Sequence, residues 1–210
     1  MQVTKYCHCC LFIEENEARI LIDPGSYSNP PFDLKLNAIF ITHQHSDHID
    51  VSLLKNILAE NTGCPIYTCQ DVSEILSKEG ISSTALKEGQ VITVKNTPIK
   101  TVGKEHAILY QKSPCMNHGF LVSNRFFFPG DALTIPNESV EILALPVAGP
   151  WLKLSDAIEY AIKVKPKIAF PVHDGILKKP GTTNTIPQIS LPQQGIQWII
   201  PEDGKKMGFG

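Results

Sequence analysis

Three histidines and one aspartate lie within six consecutive positions of the chain, at His43, His45, Asp47 and His48. They directly follow the apolar run 38–42, which predicts a short strand buried on both faces. Imidazole and carboxylate groups suit Zn, Mn or Fe, and a loop fixed by a strand holds such groups well. The cluster therefore predicts a metal site, with His43 and His45 turned toward one ion and Asp47 and His48 toward another. The alternative is a histidine-rich surface loop without function.

The remaining ligands of a two-metal site are expected at the ends of later strands, which a folded sheet can bring together. His106 follows the predicted strand 99–102, Asp131 ends the segment 126–131, and His173 ends the segment 168–173. A carboxylate can bridge two cations and a histidine cannot, so Asp131 is the predicted bridge. Because these ligands bind as neutral imidazoles and ionised carboxylates, metal binding is expected to weaken in acid.

The six cysteines allow a second kind of site to be considered. They are Cys7, Cys9, Cys10, Cys64, Cys69 and Cys115. The stretch 7–10 resembles a metal-binding knuckle, but it lies in an apolar run over 6–13 that predicts a strand, whose alternate residues face opposite sides. With no visible export signal, a cytoplasmic chain with reduced thiols is expected. We predict that the cysteines are structural residues buried in the core.

Apolar periodicity predicts the elements that must position these residues. Strands are predicted at 3–13, 19–22, 38–42, 65–68, 90–94, 99–102, 120–122, 126–128, 142–147, 167–172 and 197–200, with a turn at 14–17. Three helices are predicted, the first capped by Asp50 and running to about residue 61, the second over 71–78, and the third capped by Ser155 and running to about residue 164. Residues 177–194 are expected to form a loop. Strand-rich blocks interleaved with helices favour an α/β (α+β) fold, in which two mixed sheets pack face to face with helices outside. A single domain is expected over 1–210.

The order of these motifs resembles the metallo-β-lactamase superfamily, over nearly the whole chain. The resemblance rests on His-x-His-x-Asp-His at 43–48, a later His, Gly-Asp at 130–131 and a final His. It implies a four-layer αββα sandwich with the metals at one edge of the sheets. It also implies roles for single residues. The first metal would be held by His43, His45 and His106, the second by Asp47, His48 and His173, with Asp131 bridging and Asp23 supporting the ligands from behind. For Asp23, a simple turn at a strand end is the alternative.

Finer features are similar to the branch of that superfamily that contains ascorbate-6-phosphate lactonase. These features are His8 with Cys10, the segment 145–151 and the segment 170–175. The β-lactamases themselves generally lack the bridging aspartate, so Asp131 argues against antibiotic hydrolysis. Three further residues, His8, His118 and Trp151, are candidates to line the pocket, and His118 could compete with His106 for the first metal. For His8 a buried hydrogen-bonded role, and for Trp151 a packed helix start, are the alternatives.

The expected chemistry is hydrolysis by a metal-bound hydroxide. Two cations would share a water and lower its pKa toward about 7, and the second cation would stabilise the developing oxyanion. Asp47 is expected to hydrogen-bond the hydroxide and handle its proton. The chain lacks a long insertion between Asp131 and His173, where relatives that cut nucleic acids carry an extra domain. A small ester, lactone or phosphodiester is therefore the expected substrate. An iron-dependent oxygenase or oxidoreductase and a non-catalytic metal-binding module are the alternatives.

Composition limits the partners that the chain can be expected to have. The 210 residues carry a formal net charge of −2, which does not favour nucleic acid or an anionic membrane as partner. No apolar run approaches the roughly 20 residues of a spanning helix. We expect a small-molecule substrate and two divalent metal ions, zinc first with Mn or Fe as alternatives. A homo-oligomer stays open.

Overall fold

The computed structural model describes residues 1–112 and 114–210. Two seven-stranded sheets dominate these residues. In chain order, the strands of the first sheet are β1 (Gln2–Tyr6), β2 (Cys10–Glu15), β3 (Ala18–Ile22), β4 (Ala38–Ile41), β5 (Ile66–Thr68), β6 (Thr84–Ala85) and, from the end of the chain, β14 (Lys206–Gly208). Those of the second sheet are β7 (Val91–Val94), β8 (Thr97–Val102), β9 (Gly119–Val122), β10 (Phe126–Phe128), β11 (Ile142–Pro146), β12 (Ile168–Val172) and β13 (Gln197–Trp198).

Both sheets are mixed, and their topologies match. The first has the order β14-β1-β2-β3-β4-β5-β6 and the second β13-β12-β11-β10-β9-β8-β7. In each sheet one side is an antiparallel meander and the other side is parallel. As a result, β1, β3 and β4 end at one edge of the first sheet, and β8, β10 and β12 end at one edge of the second. Six strand ends are thus available to carry side chains into a common site.

Four helices complete the fold: α1 (Val51–Glu60), α2 (Gln70–Lys78), α3 (Leu154–Val164) and α4 (Thr182–Ser190). One apolar cluster lies between the sheets and joins residues such as Ile22 of the first to Phe120 of the second. A second cluster joins the first sheet to α1 and α2, and a third joins the second sheet to α3. The layers therefore run helix, sheet, sheet, helix, and the predicted αββα sandwich is confirmed.

The strand β4 shows why the sequence folds this way locally. Its side chains alternate, so that Phe40 packs between the sheets while Ile39 and Ile41 pack toward the helices. Both faces are buried, as its continuous apolar run predicts. The helix α1 then begins where Asp50 accepts a hydrogen bond from the backbone N–H of Leu53 at 2.9 Å, and this confirms the predicted cap.

Several predicted elements were wrong in detail. The single strand predicted over 3–13 is two strands joined by a turn, in which Cys7 adopts a left-handed conformation with φ of 61°. The loop predicted over 177–194 contains α4 and a short 3-10 helix, Pro192–Gln194. The cap of α3 is Lys153 rather than Ser155. The short strands β6 and β14 had no clear apolar pattern to predict them.

Within the described residues, none of the helices combines the length and apolar character needed to cross a membrane.

Candidate metal centre

The structure brings all seven predicted ligands to one edge of the sandwich. The loop after β4 carries four of them, and the segments after β8, β10 and β12 carry one each. We call His43, His45 and His106 the first triad, and Asp47, His48 and His173 the second triad. Asp131 lies between the two triads.

In the first triad, three imidazoles gather close to Asp131. His43 Nε2 lies 3.1 Å from His45 Nδ1. His106 Nε2 and His43 Nε2 lie 3.3 Å and 3.9 Å from Asp131 Oδ2. The donor atoms of these four residues all stand within 4.8 Å of one another.

In the second triad, two imidazoles and a carboxylate also gather close to Asp131. His48 Nε2 lies 3.1 Å from Asp131 Oδ1, and His173 Nε2 lies 2.9 Å from Asp131 Oδ2. Asp47 Oδ2 lies 3.4 Å from His173 Nε2 and 3.9 Å from His48 Nε2. Asp131 is thus close to both triads, as a bridging carboxylate must be.

These distances and the unpaired donors fit metal ions. Ligand atoms around a tetrahedral ion stand about 3.4 Å apart when each bond is about 2.1 Å long. Among the described residues, buried atoms without a hydrogen-bond partner include His48 Nε2, His106 Nε2, Asp131 Oδ1 and both ring nitrogens of His173. Buried polar atoms are normally paired, so their concentration at one point indicates that a cation completes the site.

Hydrogen bonds behind the imidazoles select the tautomer that binds a metal. The Thr42 hydroxyl donates to Asp23 at 2.7 Å, so its oxygen can accept the Nδ1–H of His43 at 2.9 Å. The Nδ1–H of His48 donates to Asp23 Oδ2 at 2.6 Å, and that of His106 donates to the carbonyl of Ala107 at 2.5 Å. In each ring Nε2 is left with a lone pair directed at the cluster.

The electrostatics of the two triads differ. Burial and the neighbouring His48 hold the pKa of His43 well below its usual range, so His43 is neutral. Burial acts the same way on His173, but Cys9, Asp131 and Asp47 outweigh it and raise the pKa of His173 to about 10. Burial disfavours the charged form of Asp47, yet the close imidazole of His173 and the hydrogen bond with His8 hold its pKa below the usual range. The same kind of balance, led by His48, lowers the pKa of Asp131.

Comparison with known proteins identifies the family. The model of the Beta-lactamase superfamily domain matches residues 2–173. The chain belongs to this superfamily. A protein of Mycobacterium tuberculosis, Rv0786c, is 36% identical over 84% of this chain and 85% of its own length. The UPF0173 metal-dependent hydrolase Ta0764 of Thermoplasma acidophilum is 26% identical over 82% of this chain and 83% of its own length.

A solved structure shows the same fold. Igni18, a metallo hydrolase from the archaeon Ignicoccus hospitalis, superposes with a TM-score of 0.76 and 18% identity, covering 100% of this chain and 99% of Igni18. The predicted superfamily and the predicted class, a metal-dependent hydrolase, are confirmed. The lactonase-like branch, the single domain over 1–210, the cytoplasmic location and the small-molecule partner stay predictions.

Asp23, the predicted supporting residue, lies directly behind the ligand cluster. It is fully buried, and besides His48 it accepts hydrogen bonds from the backbone N–H and the hydroxyl of Thr42, both at 2.7 Å. Burial raises the pKa of its carboxyl. Gly25, two residues later, packs against the loop that carries the ligands. A Cβ there would lie 1.9 Å from the carbonyl oxygen of Asp47, so only glycine fits.

Two supporting residues were not predicted. Thr42 orients His43, as described above, and its place directly before the histidine cluster is a signal that could have found it. The buried side chain of Asn117 accepts the backbone N–H of Asp131 at 3.1 Å and donates to the carbonyl of Pro129 at 2.9 Å. It therefore holds the loop that presents Asp131. Nothing in its sequence neighbourhood indicates this role.

The three candidate pocket residues have different places. The indole N–H of Trp151 donates to Asp131 Oδ2 at 2.9 Å, so Trp151 lies at the site. His8 is also at the site, and its Nε2 lies 3.1 Å from Asp47 Oδ2. The proposal that His118 lines the site was wrong, because its ring nitrogens face the carbonyls of Gly103 and Leu86 at 2.7 Å and 3.2 Å.

The position of Cys9 corrects the argument that residues 7–10 all lie in one strand. All six cysteines are free thiols. Because residues 7–9 form a turn and not a strand, Cys9 reaches the second triad, and its sulfur stands within 4.8 Å of donor atoms of His8, His48 and His173. Burial would raise the pKa of this thiol, but these imidazoles lower it to about 7.

Proposed function

We propose that the chain is a dinuclear metal hydrolase that cleaves a small ester, lactone or phosphodiester. One observation carries the proposal: two triads of ligands share a single buried carboxylate, Asp131. A pair of divalent cations bound there would supply a hydroxide at neutral pH, since a cation lowers the pKa of water from about 15.7 toward about 7. Zinc is the proposed metal, because imidazole-rich sites with a carboxylate suit it.

The two carboxylates of the centre have separate tasks in this proposal. The side chain of Asp131 keeps only 4% of its exposure, whereas that of Asp47 keeps 19%. Asp131 is therefore the bridge, held in place by Trp151 and Asn117. Asp47 can reach the reacting water, accept its hydrogen bond and pass its proton on.

A cavity next to the first triad supports a small substrate. It has a volume of about 300 Å³, which is at the lower end for ligand sites. Its walls include His45, His106, Leu109 and, as a single cation, Lys112. A lysine near the ligands suits a substrate with a negative charge, such as a phosphodiester or the carboxylate product of a lactone.

Metal analysis followed by a hydrolysis screen tests this function. We expect two divalent ions per chain, and turnover of at least one ester, lactone or phosphodiester that stops when a chelator removes the metals. Asp131→Asn is the matched variant for this test, because it keeps the shape of the proposed bridging side chain and removes its charge. Oxygen uptake with bound iron would instead establish an oxygenase. Tightly bound metal without cleavage of any of these substrate classes would establish a non-catalytic module.

A further inference from the structure

His8 is a buried histidine that the proposed chemistry does not use. It lies in the turn between β1 and β2, its exposed fraction is 0%, and it joins two distant parts of the centre. Its Nε2 lies 3.1 Å from Asp47 Oδ2. Its Nδ1 accepts the backbone N–H of Gly175 at 3.1 Å, and its carbonyl accepts the backbone N–H of His173, also at 3.1 Å.

The hydrogen bond from Gly175 determines which nitrogen of His8 carries the proton. A backbone N–H can only donate, so Nδ1 must offer a lone pair. In the neutral imidazole the proton is then on Nε2 and is donated to Asp47. His8 Nε2 is a hydrogen-bond donor in this arrangement, and neither of its nitrogens is free to bind a cation. His48 and His173 differ, because each has a buried nitrogen without a partner among the described residues.

The backbone around His8 is built to hold this position. A Cβ on Gly175 would lie 2.9 Å from His8 Cβ, so a side chain at position 175 would push the ring away. Cys7 and His173 both adopt left-handed conformations, with φ of 61° and 62°, and such backbone is retained where surrounding structure imposes it. The buried ammonium of Lys5 pairs with Asp174 at 2.5 Å. These contacts hold the segments 5–8 and 173–175 together beside the second triad.

We propose that His8 is a positioning residue, which holds the Asp47 carboxylate in the orientation that binds the second cation. The inference rests on the proposed two-cation function. The side chain of Asp47 is 19% exposed, more than that of Asp131, so it can turn away unless another group fixes it. Hydrogen bonds to ligating carboxylates set ligand orientation, and their loss typically lowers metal affinity about 10- to 100-fold.

Three substitutions of His8 separate the hydrogen bond from the space that the ring fills. His8→Ala removes both, His8→Phe keeps a ring of similar size without a donor, and His8→Gln keeps an N–H donor at similar reach. Zinc would be titrated into each metal-free protein against a chromophoric chelator. We expect affinity for one of the two ions to fall about 10- to 100-fold in the Ala and Phe variants, and to recover most of the way in the Gln variant.

Asn61→Ala is the matched control for general loss of stability. Asn61 is buried and makes hydrogen bonds to the carbonyl of Phe32 and the N–H of Leu36, but it follows the far end of α1, about 15 Å along the helix axis from the cluster. It should lower the melting temperature and leave both zinc affinities unchanged.

Unchanged zinc affinity in His8→Ala, equal losses in the Gln and Phe variants, or an equal loss in Asn61→Ala would each overturn the proposal. The titration needs no substrate. A protein that loses zinc affinity in His8→Ala yet cleaves nothing would therefore refute the hydrolase and retain the positioning role.

Discussion

The two triads use the same kinds of ligand in different surroundings. The first triad borders a cavity, and His45 there is only half buried. In the second triad the exposed fractions of His48 and His173 are 0% and 3%. Each triad has supporting groups, but those of the first are a hydroxyl and a backbone carbonyl, whereas those of the second include the buried Asp23 and His8. We therefore expect substrate to approach past the first triad, where the cavity lies, and the imidazoles of the second triad to be held more rigidly by their buried supports.

This comparison separates effects on function from effects on stability. Removing a partly exposed ligand from the first triad should lower metal content and activity. It should cost little folding free energy, because water can replace the lost side chain. Removing a buried supporting residue of the second triad should cost folding free energy as well, because buried polar groups then lose their partners.

The largest loss of activity is expected for His45→Ala. His45 is a proposed ligand of the first cation, and losing a ligand should lower metal affinity and turnover by more than the factor of about 100 seen for supporting groups. The melting temperature should change little, because the side chain is partly exposed. Metal content, turnover and thermal unfolding measured on one preparation would check this. Turnover equal to that of the unaltered chain would contradict the assignment of the first triad.

The largest loss of stability is expected for Asp23→Ala. The substitution leaves the Nδ1–H of His48 and two donors of Thr42 buried without an acceptor. Breaking a buried pair of this kind typically costs about 3–5 kcal/mol. Chemical denaturation of the metal-free protein would measure the loss. Asp23→Asn, which retains one acceptor oxygen, should lose less stability. Equal stability of the unaltered chain and both variants would refute the role of Asp23 as a buried support of the second triad.

The gathering of the seven candidate ligands at one edge was predictable because their signal is local chemistry. The cluster 43–48 needs no knowledge of the fold, and His106, Asp131 and His173 follow from the rule that site residues lie at strand ends. The turn at 7–9 was not predictable in the same way. The run 3–13 has no glycine or proline, and Cys7 adopts a positive φ that its residue type disfavours. With the turn missed, the approach of Cys9 to the site was missed as well, whereas His8 was among the candidate pocket residues.

The helix α4 shows the same limit at the other end of the chain. Its sequence, TTNTIPQIS, holds three threonines and an internal proline, which are poor helix formers. Burial of Pro187 in the helix and of Leu191 at its end against the second sheet and α3 outweighs these preferences. The propensities of the residues alone therefore do not predict this helix.

A smaller effect is expected from pH, and it should differ between the two cations. His43 is already neutral, because its pKa is held low, so a cation entering the first triad displaces no proton from it. His173 has a pKa raised to about 10 from an ordinary 6.5, so it is protonated in the metal-free protein at neutral pH. A cation entering the second triad must displace that proton.

Zinc affinity of the second triad should therefore rise with pH from 6.5 toward about 10, while that of the first triad rises less. Calorimetric titration in buffers of different ionisation enthalpy would count the protons released with each ion. Equal proton release by both ions would contradict the electrostatic difference between the triads.

The smallest effect is expected for Cys9→Ser, although Cys9 stands beside the second triad. Asp47, His48, Asp131 and His173 already provide four protein ligands beside the proposed shared water, so the thiol is not needed to hold the cation. The Ser variant should keep two metals per chain and most of the activity. With cobalt in place of zinc, the absorption spectrum should lack a thiolate charge-transfer band in both proteins. A band that the unaltered chain shows and the Ser variant loses, together with one lost metal, would make Cys9 a ligand and the second triad a sulfur-containing site.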